Sequence, residues 1–415
     1  MATVTRRIGL SLGADLCWPA CYEAILRKLD PAIPVGNDLV KIHVERVPIE
    51  PFDLRGKVPY DLVIDRLTHW YPTRREWIKK GILMDDLYVF NNPWAVQAME
   101  KHTSYCAMMK LGFPIPDTWM TPPKSYDETA DLAPTLNRYA KLFDLGEIGK
   151  KVGYPLFMKP YDGGAWVGVT RIANEQSLRD AYEQSGKRVM HIQNAVDPFD
   201  RFVRAIGIGP QVYTILYDPS APLHGRYTCA KNFLSSDEAQ VLSDYALTIN
   251  AFFGWDFNSC EALHKEGVWH PIDFANPCPD SQVTSLHYHF PWFVKSKIRW
   301  SVFCAATKRK FRKNPDWEPY FEIGNQDKPF REKLSQYASL ARKHFDYDRF
   351  QDFCAQNLSI LDEAAWEFFG TNEAKDAIRI KVAALYPAHE IEEFTEKFWS
   401  LIQEWRSDTS KGEAR

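Results

Sequence analysis

Apolar positions fall into three regimes along the chain. Up to about residue 112, short apolar runs alternate with stretches of helical spacing. Residues 7–12 read as a strand, 18–29 as a helix, and 61–65 and 87–90 as further buried strands. Such alternation predicts a small α/β layer with a mostly parallel sheet. Asn92 then caps a predicted helix with Pro93 at its first position, where the missing N–H costs nothing. That helix should run through Val96, Met99 and Met109 to Leu111, with Gly112 stopping it and Pro114 and Pro116 preventing a restart. Residues 121–150 are polar and Pro-containing and decide little. From Tyr154 to about Asn276 the pattern is strand-rich, interrupted by one helix. It opens on a capping box, Ser235 with Glu238, buries Val241, Leu242, Tyr245, Ala246 and Ile249, and closes at Gly254. After about residue 285 the spacing is helical to the end, with residues 407–415 reading as a disordered tail. A strand is also predicted over 226–231.

Composition narrows the class. The chain has 415 residues, enough for two or three lobes, with 45% hydrophobic and 25% charged residues, as in an ordinary globular protein. A formal net charge of -3 gives no electrostatic case for nucleic acid or an acidic membrane. The basic cluster Lys308, Arg309, Lys310, Arg312 and Lys313 reads as a solvated helix face. No stretch approaches the roughly 18 apolar residues of a membrane span, and the N-terminus reads as a strand rather than a signal peptide. The 8 cysteines are scattered, and Cys17 and Cys21 lack both CxxC spacing and a histidine partner set. Free thiols in a reducing cytoplasm are therefore expected, without a zinc site.

Two segments carry candidate chemistry. In the first, residues 154–172, Phe157 and Lys159 share one face of a strand that runs into Asp162-Gly163-Gly164-Ala165-Trp166-Val167-Gly168, after which a second strand resumes. Glycines let backbone N–H groups approach phosphate oxygens. Gly163 and Gly168 have the spacing of a P-loop, but Val169 stands where that motif needs lysine and no helix follows, so a P-loop is rejected. A glycine-rich hairpin without function is the alternative. In the second segment, residues 254–277, a hairpin centred near Gly267 should set Glu261 roughly opposite Asp273, with Asn276 just beyond. Two like charges facing each other destabilise a hairpin unless a cation lies between them, and three hard oxygen donors suit magnesium. An exposed hairpin with incidental acids is the alternative here.

The order of these segments resembles the ATP-grasp superfamily, particularly its RimK-like and glutathione-synthetase-like members. It comprises Glu100-Lys101-His102-Thr103, the turn at 112–116, Met158-Lys159-Pro160 with its glycine loop, and Asp256-Phe257 through Glu261 and Asp273 to Pro277. The resemblance covers about residues 85–280. It implies that Lys101 and Lys159 contact phosphates and that Gly163, Gly164 and Gly168 belong to a loop closing over a triphosphate. It implies a hinge strand over 189–196, with Gln193, Asn194, Ala195 and Val196 at the adenine edge and Asn194 in place of the usual glutamate. Asp200 falls at a ribose-contact position. Arg204 falls at the position of the arginine facing the transferring phosphate, and Glu261, Asp273 and Asn276 match the magnesium ligands. Asp273 and Asn276 are one residue further apart than the family usually has them. Lys231 and Arg226 are weaker candidates for phosphate or substrate contact, with surface charge as the alternative. His287 and His289 either line an acceptor site or pack in an aromatic core.

The expected fold is thus α/β and α+β. An N-terminal α/β lobe (1–112) precedes an ATP-grasp pair of α+β subdomains (113–285, split near 196) and a helical C-terminal extension (286–415). The expected function is an ATP- and Mg2+-dependent ligase joining a small-molecule carboxylate to an amine, or a thiol, through an acyl phosphate. A small-molecule kinase of the same fold and a non-catalytic nucleotide-binding module remain as rivals, and self-association is left open.

Overall fold

A computed structural model describes residues 2–67, 71–95, 101–164 and 166–412. Three sheets organise them. The first joins β1 (Ala2–Ser11), β2 (Ala32–Val35), β3 (Asp38–Arg46), β4 (Leu62–Asp65) and β5 (Tyr88–Phe90) in the order β2-β3-β1-β4-β5. Strand β1 runs parallel to β3 and β4, and β4 parallel to β5, while β2 is antiparallel to β3. This is the mostly parallel α/β layer that the alternation predicts, with Ile8, Leu10, Leu62 and Ile64 fully buried. The β2–β3 hairpin was not visible in the periodicity, because its exposed and buried positions mix without clean alternation.

The second sheet is antiparallel, in the order β6-β9-β7-β8: β6 (Thr118–Thr121), β7 (Leu156–Pro160), β8 (Thr170–Ile172) and β9 (Met190–Asn194). Helices Leu145–Val152 and Glu175–Ser185 pack on it around Leu156, Met158, Leu178 and Ile192. The helix Glu175–Ser185, capped by Asn174, is a second interruption of the strand-rich region, where one was expected.

The third sheet, β11-β10-β12-β13, is also antiparallel. It contains β10 (Arg201–Ile208), β11 (Gln211–Leu216), β12 (Phe257–Lys265) and β13 (Val268–Asp273). The helix Ser236–Phe253 covers it, starting at the capping box of Ser235 and Glu238 and ending at Gly254 in the left-handed region. Its predicted apolar face is buried against Val203, Ala205, Cys260 and Ala262.

Three expectations need correction. Pro93 does not open a helix: Asn92 accepts a hydrogen bond from the Trp94 N–H at 3.0 Å, which closes a turn instead. The helix is described over Lys101–Lys110, and residues 96–100 lie outside the described residues. No strand forms over 226–231; a single bridge links Tyr227 to Tyr217. The tail is not disordered from 407. The last helix, Ile391–Ser410, buries Ile402 and Trp405, and Asp408 is held by Tyr288.

The C-terminal helices are continuous with the rest. Helix Phe290–Ala306 is buried on nearly every side and packs on β1, β3, β4 and β10. One apolar cluster thereby runs from Ile8 through Ile206 and Trp300 to Trp405. No helix among the described residues is long and apolar enough to cross a membrane.

Candidate active site

The β12–β13 hairpin turns at Glu266 and Gly267, both at positive φ (51° and 79°), the backbone of a primed two-residue turn. From there the register runs regularly as far as Ala262 opposite Pro271. It then shifts, so that Glu261 faces Asp273 and Ile272 is the extra residue of a bulge. Pro271 is tolerated because β13 is the sheet edge. On the other side of β12, Arg204 of β10 faces Glu261. Arg204, Glu261 and Asp273 therefore form one row across three strands.

Each carboxylate of that row has a cation. Arg204 ion-pairs with Glu261 and also donates to the Tyr227 hydroxyl. Lys101, the first described residue of its helix, reaches both oxygens of Asp273 at 2.8 and 3.0 Å. The like-charge conflict expected of the bare hairpin is thus relieved from both sides. Burial pushes the Asp273 carboxyl up, but Lys101 and Lys159 outweigh it and hold it below the ordinary range. The Asn276 amide lies 3.3 Å from Asp273 Oδ1, and its backbone N–H donates to Asn258 at 2.9 Å. Asn258 in turn bonds Asn250 and the Phe274 carbonyl, fixing the loop after β13.

Lys159 arrives from the second sheet. Its ammonium donates to the Tyr105 hydroxyl at 2.6 Å, to Gln193 Oε1 at 2.8 Å and to the bulge carbonyl of Ile272 at 3.1 Å. Tyr105 donates to the same carbonyl at 2.7 Å. The bulge thus joins the two sheets: the carbonyl of its extra residue receives both groups. The Lys101 N–H bonds the Tyr161 carbonyl at 2.8 Å, a second tie between helix and second sheet. Burial drives the Lys159 ammonium down to about 7, with Asp273 opposing and Lys101 assisting. Opposite Lys159 across the strands is His191, which burial and the neighbouring cations push to about 3, so it stays neutral.

The glycine loop follows β7. Gly163 and Gly168 lie at positive φ (87° and 77°), as does Trp166 at 64°. A Cβ on Gly163 would meet nothing within 4 Å, whereas one on Gly168 would strike the Arg188 guanidinium. Gly164 accepts from the Val167 N–H, and Ala165 lies outside the described residues.

At the hinge, Gln193, Ala195 and Val196 are buried. The Asn194 amide turns back onto the Val152 carbonyl at 2.7 Å, so its side chain is a strut for the end of the helix Leu145–Val152. The backbone N–H groups of Asn194 and Ala195 bond the carbonyls of Asp117 and Pro155.

Other candidates go elsewhere. Asp200 is bound by His264 at 2.7 Å. Lys231 pairs with Asp408 of the last helix at 2.7 Å, and Arg226 donates to Ala221 O at 3.1 Å. His287 and His289 are buried, and burial lowers them to about 3 and about 4; His287 accepts from the Tyr288 N–H at 2.8 Å, and His289 bonds the Thr228 carbonyl at 2.9 Å. Tyr105, His191 and Tyr227 escaped the sequence reading. Tyr105 alone had a signal, standing four residues after Lys101 on the same helix face.

The donor set fits a hard cation. Two carboxylates on adjacent strands supply hard oxygens, with the Asn276 amide beside them donating through Nδ2 to Asp273 and to the Ser259 carbonyl, and thiols and imidazoles are absent from the row. Three cationic side chains around two carboxylates leave a surplus of positive charge, which suits an anionic ligand with its counter-ion.

No protein-family model matches the chain, and no curated protein matches it. Solved structures with a similar course include a RimK-domain ATP-grasp protein from Sphaerobacter thermophilus, at 12% identity and TM-score 0.44 over 66% of this chain and 92% of that one. A D-alanine–D-alanine ligase from Bacillus anthracis, complexed with ATP, matches at 13% identity and TM-score 0.43 over 74% and 97%. The VanG D-Ala:D-Ser ligase from Enterococcus faecalis matches at 12% identity and TM-score 0.44 over 81% and 100%.

Proposed function

We propose that this protein is an ATP-dependent ligase of the ATP-grasp type, joining a carboxylate to an amine or thiol through an acyl phosphate. The observation that supports it most is the convergence of Lys101, Lys159 and Arg204 on the Glu261–Asp273 pair, drawn from a helix and two separate sheets.

Magnesium, when bound, neutralises and orients the triphosphate, and Glu261, Asp273 and Asn276 are the side chains that would hold it. Lys101 and Lys159 bind phosphate oxygens, each giving up a protein acceptor for a ligand one. A half-neutral Lys159 regains its proton when a polyanion enters, which ties nucleotide binding to proton uptake. Arg204 offsets charge that develops on the transferring phosphoryl group as the substrate carboxylate attacks the γ-phosphorus in line and the bond to the β-phosphate oxygen breaks, releasing ADP. An acceptor amine or thiol then displaces phosphate from the acyl phosphate. The loop carrying Gly163, Gly164 and Gly168 shields that intermediate from water. The buried hinge residues Gln193, Ala195 and Val196 form the floor for the adenine.

The test is a phosphate-release screen over amino acids, peptides and small carboxylates, with and without amines. Release that requires ATP, Mg2+, an acid and an amine, and that vanishes in Glu261→Ala, is the expected result. ADP formed with a phosphorylated hydroxyl and no free phosphate would instead identify a kinase. Nucleotide binding without turnover in every mixture would identify a binding module.

A further inference from the structure

Three parts of the molecule meet beside the row Arg204–Glu261–Asp273. In the first sheet the chain leaves β1 toward β3 and leaves β4 toward β5, in opposite directions. The carboxyl ends of β1 and β4 therefore form the switch point at which open α/β sheets bind ligands. Asp15 and Arg66 stand there, paired at 3.3 Å. Arg66 also donates to the Pro279 carbonyl at 2.9 Å, and Asn91, after β5, donates to that of Pro277. The loop 277–282, which follows Asn276, is thereby tied to the switch point. From the C-terminal extension, the helix Asn372–Ala383 packs on the helix Val283–Leu286 and sends Lys381 to the Ala14 carbonyl at 3.1 Å.

Two charges of this crevice are left open. Asp280 is half-buried; its Oδ1 accepts the Gln282 N–H at 2.9 Å, and it makes no ion pair among the described residues. Lys381 is buried, spends one of its three N–H groups on Ala14, and likewise makes no ion pair among them. The two lie within electrostatic reach of each other without pairing. Their charged neighbours are matched, Arg66 with Asp15 and Arg204 with Glu261. Asp65 accepts from Ser11, and Lys297 is enclosed by the rings of Trp18, Phe257 and Phe293. A lone anion or a lone cation would complete one open charge and leave the other; a neutral ligand carrying both signs completes the two together. Gly13 and Ala14 are exposed, and the helix Cys17–Leu29 begins beside them without a side-chain cap, so its first N–H groups add to the carboxylate end. Asp280 is the end nearer the chemistry: its charge acts on Arg204 and on the Tyr227 hydroxyl, whereas Lys381 lies toward Asp15 and Cys17.

We propose that this crevice binds an amino acid as a zwitterion, its ammonium on Asp280 and its carboxylate on Lys381 and the start of the helix Cys17–Leu29. The amine then lies on the Arg204 side, which makes this amino acid the acceptor; that role rests on the ligase reading above, whereas the binding does not. The C-terminal extension thus supplies a specificity-determining side chain, Lys381.

Calorimetric titration of the full chain with the standard amino acids and their D forms tests it. The tightest binder is expected in the millimolar range or tighter. Its amide, which lacks the carboxylate, and its N-acetyl form, which lacks the ammonium, should each bind at least about tenfold more weakly. Lys381→Met should abolish the preference over the amide, and Asp280→Asn the preference over the N-acetyl form. The ligand pairs test the wild type even where a variant fails to fold. No binding by any amino acid, equal binding of the amide or the N-acetyl form, or a preference kept in either variant would each overturn the proposal. A parallel MgATP titration separates the two readings. Amino-acid binding without MgATP binding would overturn the ligase reading and the acceptor role with it, and MgATP binding without amino-acid binding would overturn this inference alone.

Discussion

Lys159 combines a buried position, three hydrogen bonds and an ammonium lowered to about 7. The sign of its effect on stability follows. Below pH 7 both folded and unfolded chains hold the proton, and the folded chain carries the full cost of a buried charge. Between about 7 and the ordinary lysine range only the unfolded chain stays protonated, so this group makes stability rise with pH there. Urea unfolding of the ligand-free protein at pH 7 and 9.5 should show that rise, and Lys159→Met should lose it relative to wild type; parallel curves would contradict the assignment. Arg204 is the second residue with a sharp expectation. Arg204→Ala should lower kcat by about 10²–10³ if it offsets phosphoryl charge. It should also cost about 3–5 kcal/mol of stability by stranding the buried Glu261. Adding Glu261→Gln should restore stability without restoring turnover, and recovery of both would reduce the pair to a structural one.

At the scale of elements, the bulge at Ile272 decides the geometry. Its carbonyl receives both Lys159 and Tyr105 and so holds the second sheet against the third. Tyr105→Phe removes the hydroxyl between them. A loss of about 0.5–1.5 kcal/mol in stability is expected, with a severalfold rise in the KM for ATP and a smaller change in kcat. An unchanged KM would show that Lys159 is positioned without it. The hairpin and its turn near Gly267 were legible in the sequence, because turn residues and alternation fix register locally; that register alone would set Glu261 against Ile272, so the pairing of Glu261 with Asp273 depends on the bulge. The bulge was not, since nothing in Pro271-Ile272-Asp273 announces an extra residue. The capped helix Ser236–Phe253 was legible for the same local reason, and Ser235→Ala should cost it about 1 kcal/mol by denaturant unfolding. The failure at Pro93 has the opposite cause. Asn92 and Pro93 are as competent to close a turn as to open a helix, and tertiary contacts chose the turn. Lys231 was misjudged through the missing strand over 226–231, and its charge is spent on the last helix instead.

For the whole molecule, the row Arg204–Glu261–Asp273 and the lysines that meet it are assembled from segments separated by up to 172 residues. Composition and periodicity give the parts, and only packing brings them together. The C-terminal helices take part in that packing: Trp405 and Ile402 share a core with Ile8 and Ile206. Ending the chain before Ile391 should therefore yield an insoluble or poorly cooperative protein rather than an active, shortened one, as circular dichroism and thermal melting would show. The central claim, that two sheets close on one nucleoside triphosphate, is tested most directly by titrating MgATP into wild type, Lys159→Met and Glu261→Gln. Binding by the wild type that weakens in both variants, one altered on each sheet, is the predicted result. Equal affinity in all three proteins, or no binding at all, would contradict it.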